Sequence, residues 1–134
     1  MKVLLYSTWS NVYESKSKFP NIKKINISDF EVLIGRDSDS NDYLTTKMSN
    51  DNDLWFHVAG VPGSHVVIKI KDRLPTPEVI KEVAKIAAKN SKCEKNSKVK
   101  VVYCKIKFVK KLSNMKPGKV QVDYNNSNEI IIEN

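Results

Sequence analysis

Cysteine is scarce in this chain. Two occur, Cys93 and Cys104, and their spacing matches neither a zinc ribbon nor a CxxC redox pair. Cys104 sits inside an apolar run, which predicts a buried free thiol; a structural disulfide would be unusual in the cytosol. Histidine is equally sparse, with His57 and His65 alone and no HxH, HExxH or Cys/His cluster around them. There are four glycines, and neither a glycine-rich phosphate loop nor a GxSxG elbow. No apolar run approaches the roughly 20 residues of a membrane span. The apolar part of the opening, Val3–Tyr6, is shorter than the about 7–15 residues of a signal peptide's apolar region. These absences predict a cytoplasmic protein without cofactor, metal or membrane partner.

What is present is positive charge, unevenly spread. The chain of 134 residues carries a net charge of +8. Residues 92–119 hold ten lysines against one acid, Glu94, while residues 1–91 are nearly balanced and residues 120–134 have acids only. A basic segment in an otherwise balanced chain points to a polyanionic partner. The plainer alternative is a solvated lysine face in a lysine-rich sequence.

The length is that of one domain, residues 1–134, able to bury a core without staples. Period-two runs predict strands at Val3–Tyr6, Ile22–Ile27, Phe30–Ile34, Leu54–Ala59, Ser64–Ile70 and Lys98–Lys110. A closing hairpin is expected between Val120–Tyr124 and Glu129–Glu133. Within Lys98–Lys110 the lysines change parity, so either a bulge interrupts the strand or its middle is buried on both faces. Asp37–Asp42 offers several N-caps for a helix near Asn41–Ser49, with Tyr43, Leu44 and Met48 as its apolar face. Thr76-Pro77-Glu78 starts a second helix, Pro77–Asn90, with Asn90 as a left-handed stop. The order of elements predicts an α+β fold: a mostly antiparallel sheet packed against two helices, both on one face.

The stretch Asp51–Lys71 gathers the rare residues. Both histidines and Trp55 flank the turn Gly60-Val61-Pro62-Gly63. His57 and His65 share a face if residues 57 and 65 pair. A slip of one residue sends His65 to the other side. Three readings stay open for the pair: local hydrogen bonding that shapes the turn, general-base catalysis, and contact with a ligand. A metal site with Asp53 is the weakest, since two histidines and one carboxylate are a thin ligand set. Ser64 is adjacent to His65 but on a strand points the other way, so no nucleophile–base pair is apparent. Trp9 reads as a cap over the core or as an exposed stacking surface.

The ordered set Ile34-Gly35-Arg36, Asn41-Asp42-Tyr43-Leu44-Thr45-Thr46-Lys47, Asn52-Asp53-Leu54-Trp55-Phe56-His57 and Pro62-Gly63-Ser64-His65-Val66-Val67-Ile68 resembles the NFACT-R domain. That domain is the RNA-binding module of the RqcH and NEMF proteins of ribosome-associated quality control. The likeness runs over about residues 30–123, through Val109-Lys110-Lys111 and Lys116-Pro117-Gly118-Lys119-Val120. Residues 1–29 match no recognised pattern. The resemblance implies a stand-alone binding module for tRNA or ribosomal RNA, with the large ribosomal subunit as a further partner. It implies no catalytic role. Arg36 and Lys47 would contact phosphate, with Asn41 at the helix start leading to the site. Asp53, Trp55, His57, Ser64 and His65 would form a polar-aromatic centre, and Lys110, Lys111, Lys116 and Lys119 would track the backbone. The competing expectations are an enzyme, perhaps acting on RNA, that uses the His57/His65 centre, and a protein adaptor with Trp9 and Trp55 on an exposed patch.

Overall fold

Two left-handed residues open the fold. Ser28 (φ 49°) and Asp29 (φ 69°) turn strand β1 (Ile22–Ile27) back onto β2 (Phe30–Gly35), the geometry of a two-residue hairpin loop. The computed structural model describes residues 19–134, so the predicted strand Val3–Tyr6 and Trp9 lie outside the described residues. After β2 come α1 (Ser38–Lys47), β3 (Leu54–Val58), β4 (Val66–Ile68), α2 (Pro77–Lys89) and β5 (Lys98–Lys105). The chain closes with β6 (Val109–Lys110), β7 (Gln121–Val122) and β8 (Asn128–Glu133). Six strands form one sheet in the order β1-β2-β4-β3-β5-β8, and every neighbouring pair is antiparallel. The fold is α+β, as the element order predicts.

The sheet is covered on both faces, and this corrects the expectation of two helices on one side. Val32, Ile34, Phe56, Val66, Ile68 and Val101 pack with Val79, Val83, Ala84, Ala87 and Ala88 of α2. Each fully buried valine there contributes roughly 1.5–3 kcal/mol. The intervening residues Leu33, Trp55, Val67 and Cys104 point the other way and are equally buried, against Leu44 of α1 and Ile106 and Val109. Central strands that are apolar on both faces need two covers. Cys104 is buried and free, and burial pushes its thiol up to about 11.

The same double burial explains the lysine parity of β5. Its pairing runs unbroken with β3 and β8, so there is no bulge, and Val101 and Val102 are buried on opposite faces. The strand is shorter than predicted. It gives way to a 3-10 turn at Ile106–Phe108, where the Ile106 and Lys107 amides donate to the Asp53 and Asp51 carbonyls.

The predicted closing hairpin does not form. β7 pairs with β6, and β8 pairs with β5. The free edge of β5 offers a full ladder, and on it Ile132 reaches the core under α2. Asp123 caps a second 3-10 turn, Tyr124–Asn126, which leads the chain away from β7.

α1 starts earlier than predicted because Asp37 is the cap, its carboxylate accepting from the Ser40 amide at 2.8 Å. α2 begins at Pro77 with Thr76 as cap. Asn90 ends it without a left-handed turn (φ −101°); its side chain donates to the Ile86 carbonyl at 2.8 Å instead.

Candidate nucleic-acid interface

The register of β3 on β4 settles how the histidines meet. Phe56 pairs with Val66, so the next pair outward is residues 57 and 65. The two imidazoles share a face, with ring centres 5.2 Å apart and planes near perpendicular. Trp55 precedes His57 on that face and stacks on it at 5.7 Å with planes 23° apart. The indole is only 2% exposed, so it backs His57 rather than presenting itself to a ligand. The expectation of Trp55 on an exposed adaptor patch is corrected by that burial. The next residue on the face is Ala59, whose small side chain leaves a slot beyond the His57 ring.

Helix α1 holds His65 from above. Its inward stripe is polar: Ser40, Asn41 and Thr45 are buried beside Leu44. Asn41 Oδ1 accepts from the His65 amide at 3.0 Å, and Asn41 Nδ2 donates to the Gly63 carbonyl at 3.2 Å. Thr45 Oγ1 and His65 Nδ1 share a hydrogen bond of 2.8 Å. One side chain, that of Asn41, thus fixes both the turn and the strand that carry the site.

The loop between β6 and β7 forms the opposite wall. Asp42 straps it to α1, accepting from the Gly118 amide at 3.1 Å and from Lys111 Nζ at 3.1 Å. Lys111 also donates to the Lys119 carbonyl at 2.8 Å and to that of Lys116. Gly118 is left-handed (φ 81°), and a Cβ there would press on Ser38 at 3.3 Å. Between the Gly60–Gly63 turn and the Pro117–Val120 wall lies a cavity of about 270 Å³ with His57 and His65 in its lining and Tyr124 at its rim. That is below the roughly 300–1,000 Å³ of drug-sized pockets, and suits one small planar group.

Both histidines are held neutral. Burial drives His65 down to about 3, and the neighbouring His57 and Lys111 add to the effect. Burial also lowers His57, with Lys119 adding to it and the Gly63 backbone opposing. The consequence for stability follows from linkage. Between the unfolded pKa near 6.5 and the folded value, the unfolded chain binds the proton that the native state refuses. Stability is therefore full above about pH 6.5 and is lost as pH falls toward 3, at up to about 1.4 kcal/mol per pH unit for His65. Urea unfolding at stepped pH checks this: His65→Gln is expected to flatten the acid limb, and an unchanged slope would refute the assignment.

The remaining predicted site residues are scattered. Asp53 is on the same face but at the far end, fully buried, in a cross-strand ion pair with Lys69 at 2.5 Å. It does not join the histidines. Ser64 is not in the lining of the cavity, and its amide donates to the Asn90 carbonyl at 3.0 Å. Lys47 is exposed at the end of α1, away from the cavity, beside Phe19 and Tyr43. Arg36 is exposed just after β2. Lys119 lines the cavity, and Lys110 and Lys116 are exposed nearby in chain and fold. Lys111 is tied down by the loop it holds. Thr45 and Tyr124 were missed by sequence reasoning. The Asn41/Thr45 spacing of four on a helix was the available signal for the first. Among the described residues, no group of three or more His, Cys, Asp or Glu side chains could hold a metal ion, and no helix is long and apolar enough to cross a membrane.

Comparison with known proteins gives concordant results. The model of the family described as "NFACT protein RNA binding domain" matches residues 18–124. The Rqc2 homolog RqcH of Bacillus subtilis (strain 168) is 43% identical over 96 residues, covering 72% of this chain and 16% of that protein. The RqcH of Streptococcus suis (strain 05ZYH33) is 41% identical over 88 residues, covering 65% of this chain and again 16% of the relative. The chain therefore spans about one sixth of the length of these relatives. Among solved structures, the C-terminal part of the fibronectin/fibrinogen-binding protein of Streptococcus suis superposes with a TM-score of 0.77 at 29% identity, covering 93% of this chain and 48% of that one.

Proposed function

This chain belongs to the NFACT protein RNA-binding domain family, and from that premise we propose that it binds tRNA or ribosomal RNA through the histidine cavity. The observation that carries the reading is the cavity itself. A neutral imidazole, backed by a buried indole, faces a slot of one-base size with Lys119 in its lining. An uncharged ring presents a stacking face to a base, and the lysines beside it attract the backbone. Trp55 supports the stack from behind, and His65 and Asn41 position it. The reading is of a binding module rather than an enzyme: the buried His65 is unsuited to proton exchange with a substrate, and Ser64 is not in the cavity's lining. By its family, the module would act in the cytoplasm in ribosome-associated quality control, with the large ribosomal subunit as the surface on which the RNA is met.

Fluorescence anisotropy with labelled tRNA and a labelled ribosomal RNA fragment, over a range of salt, tests the proposal. The expected result is an affinity that falls steeply with salt. Replacing Lys110, Lys116 and Lys119 with Ala should shallow the log–log slope by roughly 0.9 for each duplex phosphate left unneutralised, or about 0.7 on a single strand. Lys111 is left in place because its removal would release the loop. Binding no tighter than that of a neutral control protein at low salt would overturn the reading. A parallel titration with fibronectin separates RNA from a protein ligand of the kind for which the Streptococcus suis protein is named.

A further inference from the structure

A second recess adjoins the first. It measures about 510 Å³ and is lined by Lys107, Phe108, Lys110, Gln121, Asp123 and Asn125 among others. Val122 and Tyr124 line both recesses, so Tyr124 lies where the two meet. Tyr124 is 67% exposed and belongs to neither core cluster. Its backbone, by contrast, is firmly held. Asp123 Oδ1 accepts from the Asn125 amide at 3.1 Å and Oδ2 from Asn126 Nδ2 at 2.7 Å. The Asp123 amide donates to the Phe108 carbonyl at 2.9 Å, and Ser127 Oγ donates to the Tyr124 carbonyl at 3.1 Å. A large ring kept in water on a fixed turn adds little to folding but makes a preorganised platform.

The charges nearby suit an extended strand. Lys107 and Lys110 line the second recess and Lys119 the first, while the one acid present, Asp123, has both oxygens engaged in its cap. We propose that Tyr124 and the recess beside it form a second nucleotide subsite. A single-stranded RNA would place one base over His57 and stack the adjacent base on Tyr124, with Lys110 and Lys119 on the connecting backbone. The site then takes unpaired RNA at least two nucleotides long and has little affinity for an uninterrupted duplex at this point. The inference rests on the RNA reading above and adds to it the strandedness and the path of the ligand.

The test uses the full chain with labelled single-stranded hexanucleotides, a labelled tRNA and a blunt duplex as probes. Tyr124→Ala is expected to weaken hexanucleotide binding by about 5- to 150-fold, the range for loss of one base–aromatic stack. Its salt slope should stay unchanged, because no charge has been removed. Tyr124→Phe should bind within about twofold of the parent, since it keeps the ring that stacks. Circular dichroism melts confirm that the exposed substitution leaves the fold intact. If the parent binds hexanucleotides and Tyr124→Ala binds them equally well, the second subsite is overturned and the RNA reading stands. If the parent binds tRNA or the duplex but no hexanucleotide, the single-strand path is overturned. If the parent binds none of the probes, the RNA reading itself fails and the subsite with it.

Discussion

Asp53→Ala is expected to lower the stability of the domain by about 3–5 kcal/mol, the scale for removing one partner of a buried ion pair. The carboxylate is 1% exposed and accepts three hydrogen bonds: from Lys69 Nζ at 2.5 Å, from the Asn50 amide at 2.7 Å and from the Ile70 amide at 2.8 Å. Truncation leaves the Lys69 ammonium, itself 15% exposed, with the Met48 carbonyl at 2.7 Å as its other partner. It also strands two amides away from water, each costing about 1–3 kcal/mol if unsatisfied. Total stabilities of domains this size are about 5–15 kcal/mol, so the loss is a large share. A drop in melting temperature of roughly 10–20 °C follows from the usual entropy of unfolding. Exchanging both partners, Asp53→Leu with Lys69→Met, should cost less than the sum of the single changes, because no charge is then left buried alone. RNA affinity per folded molecule, measured well below the melting temperature, should be unchanged in Asp53→Ala. Affinity falling further than the folded fraction does would return Asp53 to the binding surface.

That placement of Asp53 shows what the sequence could and could not convey about the site. Its proximity in sequence to Trp55 and His57 is real, and the three do share a face. A strand, however, advances about 3.3 Å per residue, so residue 53, just before β3, is far along the chain's path from residue 57 near its other end. Motif membership marks a shared ladder there, not a shared pocket. The histidine pairing was the reverse case. Two registers were available and only tertiary pairing chose between them. The residues of the cavity's far wall were named by the resemblance, but their place was not legible: Pro117–Lys119 is held there through Asp42, by contacts from distant parts of the chain. The strong local signals were legible. Thr76-Pro77-Glu78 starts α2 where its capping chemistry says it should, and the alternation of Phe30, Val32 and Ile34 marks the face of β2 that packs in the α2-side core. The closing hairpin failed because turn-rich residues at Asn125–Asn128 say that the chain bends, not which edge it bends toward. The two-sided cover was implicit in Leu33 and Val67, apolar residues on the face left over by the first pattern. Lys111 reads like any other surface lysine in sequence, and its carbonyl-binding role appears only with the loop folded around it.

Gly35→Ala is expected to disable the site although Gly35 is not part of the cavity's lining; its amide donates to the His65 carbonyl at 2.9 Å. Nothing in the glycine's backbone demands glycine by conformation; the constraint is space. A Cβ at residue 35 would lie 2.1 Å from Asn41 Oδ1 and 3.1 Å from the Asn41 Cα. The helix backbone and the side chain cannot both stay, so the Asn41 amide must leave its position. Its departure breaks the bonds to the His65 amide and the Gly63 carbonyl. Two polar groups inside the fold then lack partners, at about 1–3 kcal/mol each, giving an expected loss of about 2–6 kcal/mol. The binding effect is separate from the stability effect. Gly63 carries the turn that walls the cavity, and His65 packs edge-on against both His57 and Trp55. With these loosened, RNA affinity of the folded protein should fall by about tenfold or more, since misplacing the base platform forfeits a stack worth about 1–3 kcal/mol. A double-mutant cycle isolates the cause. Asn41→Ala alone removes the same two bonds, and once it is made there is no side-chain oxygen for the new methyl to meet. Gly35→Ala on that background should therefore add much less to the loss of stability and affinity than it does alone. Full additivity of the two changes would mean that the methyl strains the backbone instead, including the direct bond from the Gly35 amide to the His65 carbonyl, and that Asn41 does not carry the effect to the histidines.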